Sequence, residues 1–366
     1  MARVSRTRIW ALAFVLALVA LPQGAAVAAE KVRPSAVPNA WGWLVARKPS
    51  TFAYVPGPRD QGNSGGHTDR VQRTRIGLYE AYFNQIGNGF YPIGVVTAIS
   101  PGPRTCMIDD NGGNSVGGDP LLYIDCFDRN GQAADARYVA NIVLGGDGPT
   151  GTLGYTWADQ EATPDYEPAD YYSYLSSGAG PITVHRSATG SYEVRMPGLG
   201  RRGGNAQVSA AKGGPAALCK VQALLRDGPD ELIKVRCRDA AGPLVDADFM
   251  VIFTHRVGLT GVQRSKAAYL LADRPSAGSY VPQAKFRYSS AGKQSRVERV
   301  REGRYRVTLP GMARGGSAQV TAYGAGAAIC QLTSIRKDRL PQRIGVACFD
   351  PSGAPTDSRF MLSYTR

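Results

Sequence analysis

A set of landmark residues occurs three times along the chain, in the same order and at nearly constant spacing. Each set begins with a Tyr-x-Pro motif and continues with Val-x-Arg-x-x-x-Gly-x-Tyr. Two cysteines, an Asp-x-x-Gly turn, a further aspartate and an aromatic residue complete it. The second motif occupies 71–79, 184–192 and 297–305, so it recurs after 113 residues both times. This repetition predicts three tandem copies of one structural unit.

The length of the repeat indicates what kind of array the copies form. Solenoid repeats are about 20–50 residues long and cannot fold alone. A unit of about 112 residues is long enough to bury a hydrophobic core of its own. We therefore expect three separate domains, copy 1 at 40–146, copy 2 at 154–256 and copy 3 at 266–366, with linkers at 145–153 and 257–265.

Hydrophobic residues within a copy alternate with polar ones. In copy 3, Tyr305, Val307 and Leu309 fall on one face of a strand, and Arg306 and Thr308 fall on the other. This period of two is typical of half-buried β-strands, and no window shows the 3.6-residue period of a helix over three turns. The expected fold class is all-β. Each copy should be an antiparallel β-sandwich or barrel of roughly six to eight short strands.

The six cysteines fall two to a copy, separated by 20, 18 and 18 residues. In an exported chain such cysteines favour disulfides over metal ligands. The spacing predicts one disulfide inside each copy: Cys106–Cys126, Cys219–Cys237 and Cys330–Cys348. Closing a loop of this size stabilises a domain by about 3 kcal/mol in the chain-entropy view. The alternative is a pair of buried free thiols in each copy.

The first 29 residues have the composition of a signal peptide. Three arginines precede a 13-residue apolar run, Ile9 to Leu21, and Ala26-Val27-Ala28 offers small residues for cleavage. A membrane anchor is the alternative, but a spanning helix needs about 20 apolar residues. Residues 30–39 form an extended lead-in. We expect a secreted or cell-envelope-associated protein with no transmembrane segment in the mature chain.

The chain is basic, with 43 Lys and Arg against 29 Asp and Glu and a formal charge of +14. The positive charges are spread out, whereas nucleic-acid-binding proteins concentrate them in a patch or a recognisable module. We therefore expect no nucleic-acid partner. The charge serves solubility or attracts the protein to anionic polymers of the cell envelope.

Each copy repeats one arginine beside a valine of the same strand face. A charge on a core-side face should be paired, so each arginine is expected to form an ion pair with an aspartate of its own copy. The arginines are Arg73, Arg186 and Arg299. The candidate aspartates are Asp128, Asp239 and Asp350 in the Asp-x-x-Gly turns, and Asp135, Asp246 and Asp357 seven residues later. A calcium loop is the alternative, but it needs a greater density of oxygen ligands, and the first aspartate of each pair suits a turn.

No arrangement of residues in the chain indicates catalysis. The three histidines, His67, His185 and His255, are far apart and lack zinc-site spacing, and the glycine clusters lack the lysine of a phosphate loop. We expect no catalytic residue, no cofactor and no metal. The acidic segment 109–119, which is unique to copy 1, could hold a cation or form a flexible hairpin tip.

Aromatic residues in copy 2 are the best candidates for ligand binding. Tyr171 and Tyr172 are expected to be exposed, and exposed aromatic rings suit sugar faces or protein partners. The expected function is therefore non-catalytic binding or adhesion, with an anionic envelope polymer, a glycan or a protein as partner. The alternatives are a secreted hydrolase or enzyme inhibitor with a site between copies, and a structural spacer. Local function should lie where the copies differ.

Overall fold

Short, mostly antiparallel strands make up nearly all of the regular structure in this computed structural model, which confirms the all-β class. The structure describes residues 40–86, 91–109, 113–114, 119–145, 151–211, 216–262, 265–336 and 338–366. The expected signal peptide and lead-in at 1–39 lie outside these residues, as does most of the acidic segment 109–119. No helix among the described residues is long and apolar enough to cross a membrane.

The strands occur in three similar series. Copy 1 contains β1 Ala40–Ala46, β2 Ala53–Tyr54, β3 Gln61–Asn63, β4 Arg70–Arg75, β5 Leu78–Tyr82, β6 Ile93–Ile99, β7 Arg104–Ile108, β8 Gly113–Asn114, β9 Pro120–Asp128 and β10 Arg137–Leu144. Copy 2 contains β11 Thr152–Ala158, β12 Asp165–Tyr166, β13 Ser173–Leu175, β14 Thr183–Ala188, β15 Ser191–Met196, β16 Asn205–Ala210, β17 Ala217–Asp227, β18 Asp230–Asp239 and β19 Phe249–His255. Copy 3 contains β20 Ala267–Ala272, β21 Ser279–Tyr280, β22 Arg287–Ser289, β23 Arg296–Arg301, β24 Arg304–Leu309, β25 Ser317–Tyr323, β26 Ile329–Ile335, β27 Gln342–Phe349 and β28 Arg359–Thr365. Short 3₁₀ turns occupy Asp170–Tyr172 and Ala284–Phe286.

Every copy divides its strands between the same two arrangements. The first strand, the last strand and a central strand lie side by side, as in the order β13-β11-β19-β16 of copy 2. The remaining strands form a meander, as in the order β12-β14-β15-β18-β17. The registers correspond residue by residue, since Tyr138, Phe249 and Phe360 pair with Ala98, Ala210 and Ala322 respectively. This correspondence defines equivalent positions in the three copies.

The meander of each copy continues into the central strand of the next copy. Val221 of β17 pairs in parallel with Tyr323 of β25, which joins copy 2 to copy 3 in one nine-stranded sheet. Leu332 of β26 pairs in the same way with Ile99 of β6, which joins copy 3 to copy 1 in another. A parallel bridge between Ile108 and Ala211 links copy 1 to copy 2. The connections therefore close in a cycle.

The central strands are buried on both faces, which differs from the half-buried strands that alternation predicts. All residues of β6 and β16 are buried, as are six of the seven residues of β25. One side chain at the centre shows why these strands carry polar residues. The two N–H groups of the Gln319 amide have three acceptors within hydrogen-bond distance, the Val95 and Val139 carbonyls at 3.1 Å and Asn141 Oδ1 at 2.9 Å. A residue of copy 3 thus satisfies carbonyls of copy 1.

The hydrophobic cores are also shared between copies. The core of copy 3 includes Trp43, Val45 and Val139 from copy 1, and the core of copy 1 includes Tyr155 and Trp157 from copy 2. The described residues between 40 and 366 form one compact unit. The expectation of three separately folded sandwiches is not confirmed, because strand pairing and side-chain packing continue from one copy to the next. The boundaries at 40–146, 154–256 and 266–366 stay a prediction.

Three disulfides hold the paired strands of the meanders. They join Cys106 to Cys126, Cys219 to Cys237 and Cys330 to Cys348, and within each pair the two cysteines face each other directly across neighbouring strands. The described residues contain no free cysteine. Disulfides of this number are typical of proteins in oxidising compartments.

Two buried carboxyl groups oppose folding at high pH. Burial raises the pKa of Asp69 to about 7 and that of Glu231 to about 8. Glu231 is 1% exposed, and its Oε2 accepts a hydrogen bond from the backbone N–H of Arg201 at 3.3 Å. The equivalent position of copy 3 holds Gln342, an uncharged residue of the same shape. The fold therefore accepts a neutral amide at this site.

We predict that an isolated copy does not fold. Copy 3 alone, residues 266–366, exposes the pairing edges of β25 and β26 and leaves Gln319 without its acceptors, whereas the chain from residue 30 buries them. The full chain should unfold in one cooperative thermal transition, and copy 3 alone should show none. Circular dichroism melts with the disulfides intact measure this. A cooperative melt of isolated copy 3 would restore the view of three separate domains.

We predict that the protein loses stability between pH 5 and pH 8. The pKa of Glu231 rises from 4.5 to about 8 on folding. The contribution of its protonated carboxyl to the free energy of unfolding is therefore complete below the unfolded pKa and is lost as pH rises through the folded pKa. The variant Glu231→Gln should match the wild type at pH 5 and melt several degrees higher at pH 8. The exposed substitution Glu302→Gln is the control. Parallel Tm curves for Glu231→Gln and the wild type would contradict the assignment.

Candidate functional site

The arginine of each copy contacts the second of the two candidate aspartates. In copy 2, Arg186 Nε donates to Asp246 Oδ1 at 2.9 Å and its Nη2 donates to Oδ2 at 2.8 Å. The backbone N–H of Gly190 and the Tyr192 hydroxyl also donate to Asp246, at 2.8 Å and 3.1 Å. The Tyr192 hydroxyl in turn accepts a hydrogen bond from the backbone N–H of Ala247. The carboxylate therefore ties the β14–β15 hairpin to the start of the last strand.

The same cluster occurs in the other two copies. Arg73 Nε lies 2.9 Å from Asp135 Oδ1, and Arg299 Nε lies 2.8 Å from Asp357 Oδ2. In copy 2 the Arg186 hydrogen bond is the largest influence on Asp246, and it lowers the pKa of that carboxyl. Because every copy uses these groups to join the same backbone segments, we interpret the cluster as part of the scaffold.

The aspartates of the Asp-x-x-Gly turns bind backbone rather than arginine. Asp128 Oδ1 accepts from the N–H groups of Asn130 and Gln132 at 2.8 Å and 3.0 Å. Asp239 Oδ1 accepts from the Gly242 N–H at 2.8 Å, and Asp350 Oδ1 accepts from the Ala354 N–H at 3.0 Å. These contacts are those of a residue that opens a turn.

The acidic segment 109–119 is described only in part. Residues 110–112 and 115–118 lie outside the described residues. Asp119 Oδ1 accepts a hydrogen bond from the Gln85 N–H at 2.6 Å, so this carboxylate holds a neighbouring turn. In the described part of the chain, no group of three or more His, Cys, Asp or Glu residues is placed to hold a metal ion.

Tyr171 and Tyr172 belong to an aromatic cluster at the joint between copies 1 and 2. The ring centroids of these two residues lie 4.3 Å apart. Tyr91, from copy 1, lies 6.0 Å from Tyr171 and 5.4 Å from Tyr172, and buried Trp157 lies 4.6 Å from Tyr172. Tyr171 is 54% exposed and Tyr91 is 42% exposed, whereas Tyr172 is half-buried between them and the core. The cluster therefore presents two rings on a buried aromatic base.

The other two joints lack this cluster. The position of Tyr91 is held by Gly203 in copy 2 and Gly315 in copy 3. The position of Tyr171 corresponds to Lys285 and to Arg59 by its offset from the Tyr-x-Pro motif. A Cβ at Gly203 would fall 1.6 Å from the Lys285 carbonyl oxygen, and one at Gly315 would fall 2.4 Å from the Arg59 carbonyl oxygen. Two joints thus pair glycine with a cationic residue, and one pairs tyrosine with tyrosine.

The Tyr172 hydroxyl is held in the protonated form. Burial, followed by the neighbouring Tyr171, raises the pKa of Tyr172 to about 12. A neutral phenol can both donate and accept a hydrogen bond. Glu167 and Asp170 are exposed on the same short segment as Tyr171. The surface therefore combines aromatic faces with hydroxyl and carboxylate groups.

A polar cavity lies where the three copies meet. It has a volume of about 70 Å³ and takes equivalent residues from each copy, including Thr97, Ser209 and Thr321 from the central strands. We call it the central cavity. Its wall also includes Lys220, and none of its lining residues is an aspartate or a glutamate.

The histidines form no common site. His185 Nδ1 lies 2.7 Å from Asp165 Oδ1 in an exposed pair on copy 2. His255 lies at the end of β19, where burial lowers its pKa. The structure therefore brings together no two of the three histidines that the sequence offers.

The sequence pattern singles out Tyr171 and Tyr172 as candidates but not Tyr91 or Lys220. Both missed residues act across a joint between copies, and the alignment of copies does not show which copy contacts which. The sequence did contain a signal for Tyr91. The residues at the two positions differ together between copies, because two joints have a glycine and a cationic residue where the third has two tyrosines. No known protein family, curated protein or solved structure gives a significant match to the chain.

We predict that the two aspartates of copy 3 differ in their effect on stability. Asp357→Asn weakens the contacts to Arg299, Gly303 and the Tyr305 hydroxyl, so its Tm should fall by about 2–4 °C. Asp350→Asn keeps an oxygen that can cap the exposed turn, so its Tm should change by less than half as much. Thermal melts at pH 6 compare them. Equal losses would show that the Arg299 cluster has no special role in the scaffold.

Proposed function

We propose that the protein is an exported, non-catalytic glycan-binding protein of the cell envelope. Its binding surface is the aromatic cluster of Tyr91, Tyr171, Tyr172 and Trp157. The observation that carries the proposal is the exposure of Tyr171 and Tyr91 at one joint only. Their counterparts at the other joints are glycines and cationic residues, so the scaffold does not require tyrosine there.

The chemistry of the cluster favours a sugar. Exposed aromatic rings offer a flat apolar face that packs against the C–H face of a pyranose ring, and the phenol hydroxyls supply hydrogen bonds. The nearby carboxylates of Glu167 and Asp170 are acceptors for sugar hydroxyls. Without the three arginines of the signal peptide, the formal charge of +14 becomes +11, which still provides long-range attraction to an anionic envelope polymer. Together these features support a polysaccharide ligand at the cell surface.

The repeated architecture acts as the support for this surface in our proposal. We infer that the three copies, each a β-domain of about 110 residues, supply one rigid frame in which the joint between copies 1 and 2 is specialised. Binding through a unique joint gives one site for each chain. A site made from repeated positions would instead give three sites and the avidity that accompanies them.

We predict that conversion of the aromatic joint to the type of the other joints weakens polysaccharide binding. The double variant Tyr91→Gly and Tyr171→Lys places in the first joint the residue types found at Gly203 and Lys285. The affinity of this variant for insoluble cell-wall polysaccharide, measured by its depletion from solution, should fall at least about tenfold. This is a loss of roughly 1.4 kcal/mol in binding free energy. Phe52→Ala removes an aromatic side chain that is 71% exposed elsewhere on copy 1, and it should bind normally.

The wild type must first bind at least one polysaccharide in a panel of neutral and acidic polymers. Equal binding by the wild type and the double variant, with Phe52→Ala unchanged, would remove the aromatic cluster as the site. Binding that disappears in 0.5 M NaCl for every protein would indicate attraction by net charge alone.

A further inference from the structure

Lys220 carries a positive charge at a position where the fold does not need one. The residue is 4% exposed, and its Nζ donates hydrogen bonds to the Gly326 carbonyl at 2.7 Å and the Ala328 carbonyl at 3.0 Å. These contacts tie copy 2 to the loop that precedes β26 in copy 3. A buried ammonium costs several kcal/mol in desolvation, so a requirement for the charge itself has to be sought.

The equivalent residues of the other copies make the joint without charge. In copy 3 the Gln331 amide donates to the Ser100 and Gly102 carbonyls of copy 1 at 2.8 Å and 2.7 Å. In copy 1 the position holds Met107, which packs in a core that includes residues of copy 2. A neutral amide therefore forms the same tie, and a thioether replaces it altogether. The connection between copies does not explain the lysine.

Burial and three neighbouring arginines oppose the positive charge of Lys220. Three arginines, Arg236, Arg238 and Arg359, lie close enough to lower the pKa of Lys220, which burial and these charges together bring to about 8. Among the described residues, no carboxylate lies within ion-pair distance of any of these four cations. The Arg238 Nε atom is buried and has no hydrogen-bond acceptor in that part of the chain. The region thus has an excess of positive charge and of N–H donors.

The central cavity lies beside this excess of positive charge, where a ligand could reach it. Lys220 and Arg104 are its charged lining residues. An adjoining pocket, which shares the Leu218 wall, is balanced by three arginines and three aspartates, namely Arg104, Arg129, Arg238, Asp128, Asp239 and Asp350. Arg104 lines both spaces, so Lys220 is the charged lining residue that belongs to the central cavity alone. The volume of the central cavity, about 70 Å³, is several times the minimum that one water molecule needs, which leaves room for one small ion.

We propose that the central cavity binds a tetrahedral oxyanion, phosphate or sulfate, with Lys220 as the principal cation. The anion would accept a hydrogen bond from the third N–H of the Lys220 ammonium. It would also accept hydrogen bonds from hydroxyls such as those of Thr105 and Thr321, which line the cavity. Charge-assisted hydrogen bonds of this kind are about twice as strong as neutral ones. The ion would also join the three copies, since its partners come from all of them.

The test uses the full mature chain with its disulfides intact. Sodium phosphate and sodium sulfate are titrated at pH 7 and constant ionic strength, with sodium chloride as the balance, and Tm is recorded. A saturable rise of about 3 °C or more is expected at an anion concentration one hundred times Kd. Sulfate also stabilises proteins by exclusion from their surface, but that effect grows linearly and does not depend on one lysine.

Two variants isolate the role of Lys220. Lys220→Gln and Lys220→Met place in copy 2 the residue types that Gln331 and Met107 supply at the same position, so both should fold. Each should abolish the saturable rise and leave Tm in chloride unchanged or higher. Lys293→Gln, at an exposed lysine that lines neither pocket, removes the same charge elsewhere and should keep the rise.

Phosphorus NMR of phosphate provides a second measurement that needs no variant. Specific binding should broaden the phosphate line in proportion to protein, and sulfate should reverse the broadening. A wild type that shows neither the saturable rise nor the broadening overturns the proposal, as does an equal rise in Lys220→Met. Dextran sulfate distinguishes the source of the anion. If it displaces phosphate, the cavity takes an anionic group of a polymer, and if it does not, the cavity takes the free ion.

Discussion

The parallel contact between the meander of one copy and the central strand of the next is the constraint on which the rest of the structure depends. A strand edge exposes unpaired N–H and C=O groups that must be covered or paired. Here Val221 meets Tyr323, Leu332 meets Ile99, and Ile108 meets Ala211. Each copy supplies one edge and accepts one, and three copies close the cycle. The central strands consequently lose contact with solvent on both faces, and the hydrophobic cores extend across the joints.

Much of the fold follows from the sequence because it depends on contacts within a copy. Alternation in 305–309 indicates strands, and the two cysteines of each copy are the nearest partners in the chain. The arginine and aspartate clusters also lie within copies. The contacts between copies could not be predicted, because identical repeat patterns are compatible with separate domains and with a closed cycle. The burial of both faces of β6, β16 and β25 depends on that choice, and so do the positions of Gln319 and Lys220.

The candidate site was predictable to the same extent. The exposure of Tyr171 follows from its place in a polar segment that departs from the repeat. The contribution of Tyr91 does not, because it lies about eighty residues away in a different copy. Once the closed cycle of contacts between copies is known, the three equivalent joints can be compared, and both Tyr91 and Tyr171 then differ from their counterparts. In a protein with internal repeats, the copies act as controls for one another, and a residue that departs from its two counterparts has to be explained by something other than the scaffold.

The residues that differ from their counterparts in the other copies are of two kinds. At the joint between copies 1 and 2, Tyr91 and Tyr171 occupy the positions of a glycine and a cationic residue. A contact between side chains therefore replaces a close backbone contact such as that of Gly203 with Lys285. The joint gives up tight packing and gains an exposed aromatic surface. At the joint between copies 2 and 3, Lys220 donates to the loop before β26, as Gln331 donates to the loop before β7. Lys220 adds a charge that the surrounding arginines oppose. The buried ammonium of Lys220 has a desolvation cost that the neutral Gln331 avoids. Such a cost, at one copy of three, is the expected mark of a residue that serves binding rather than folding.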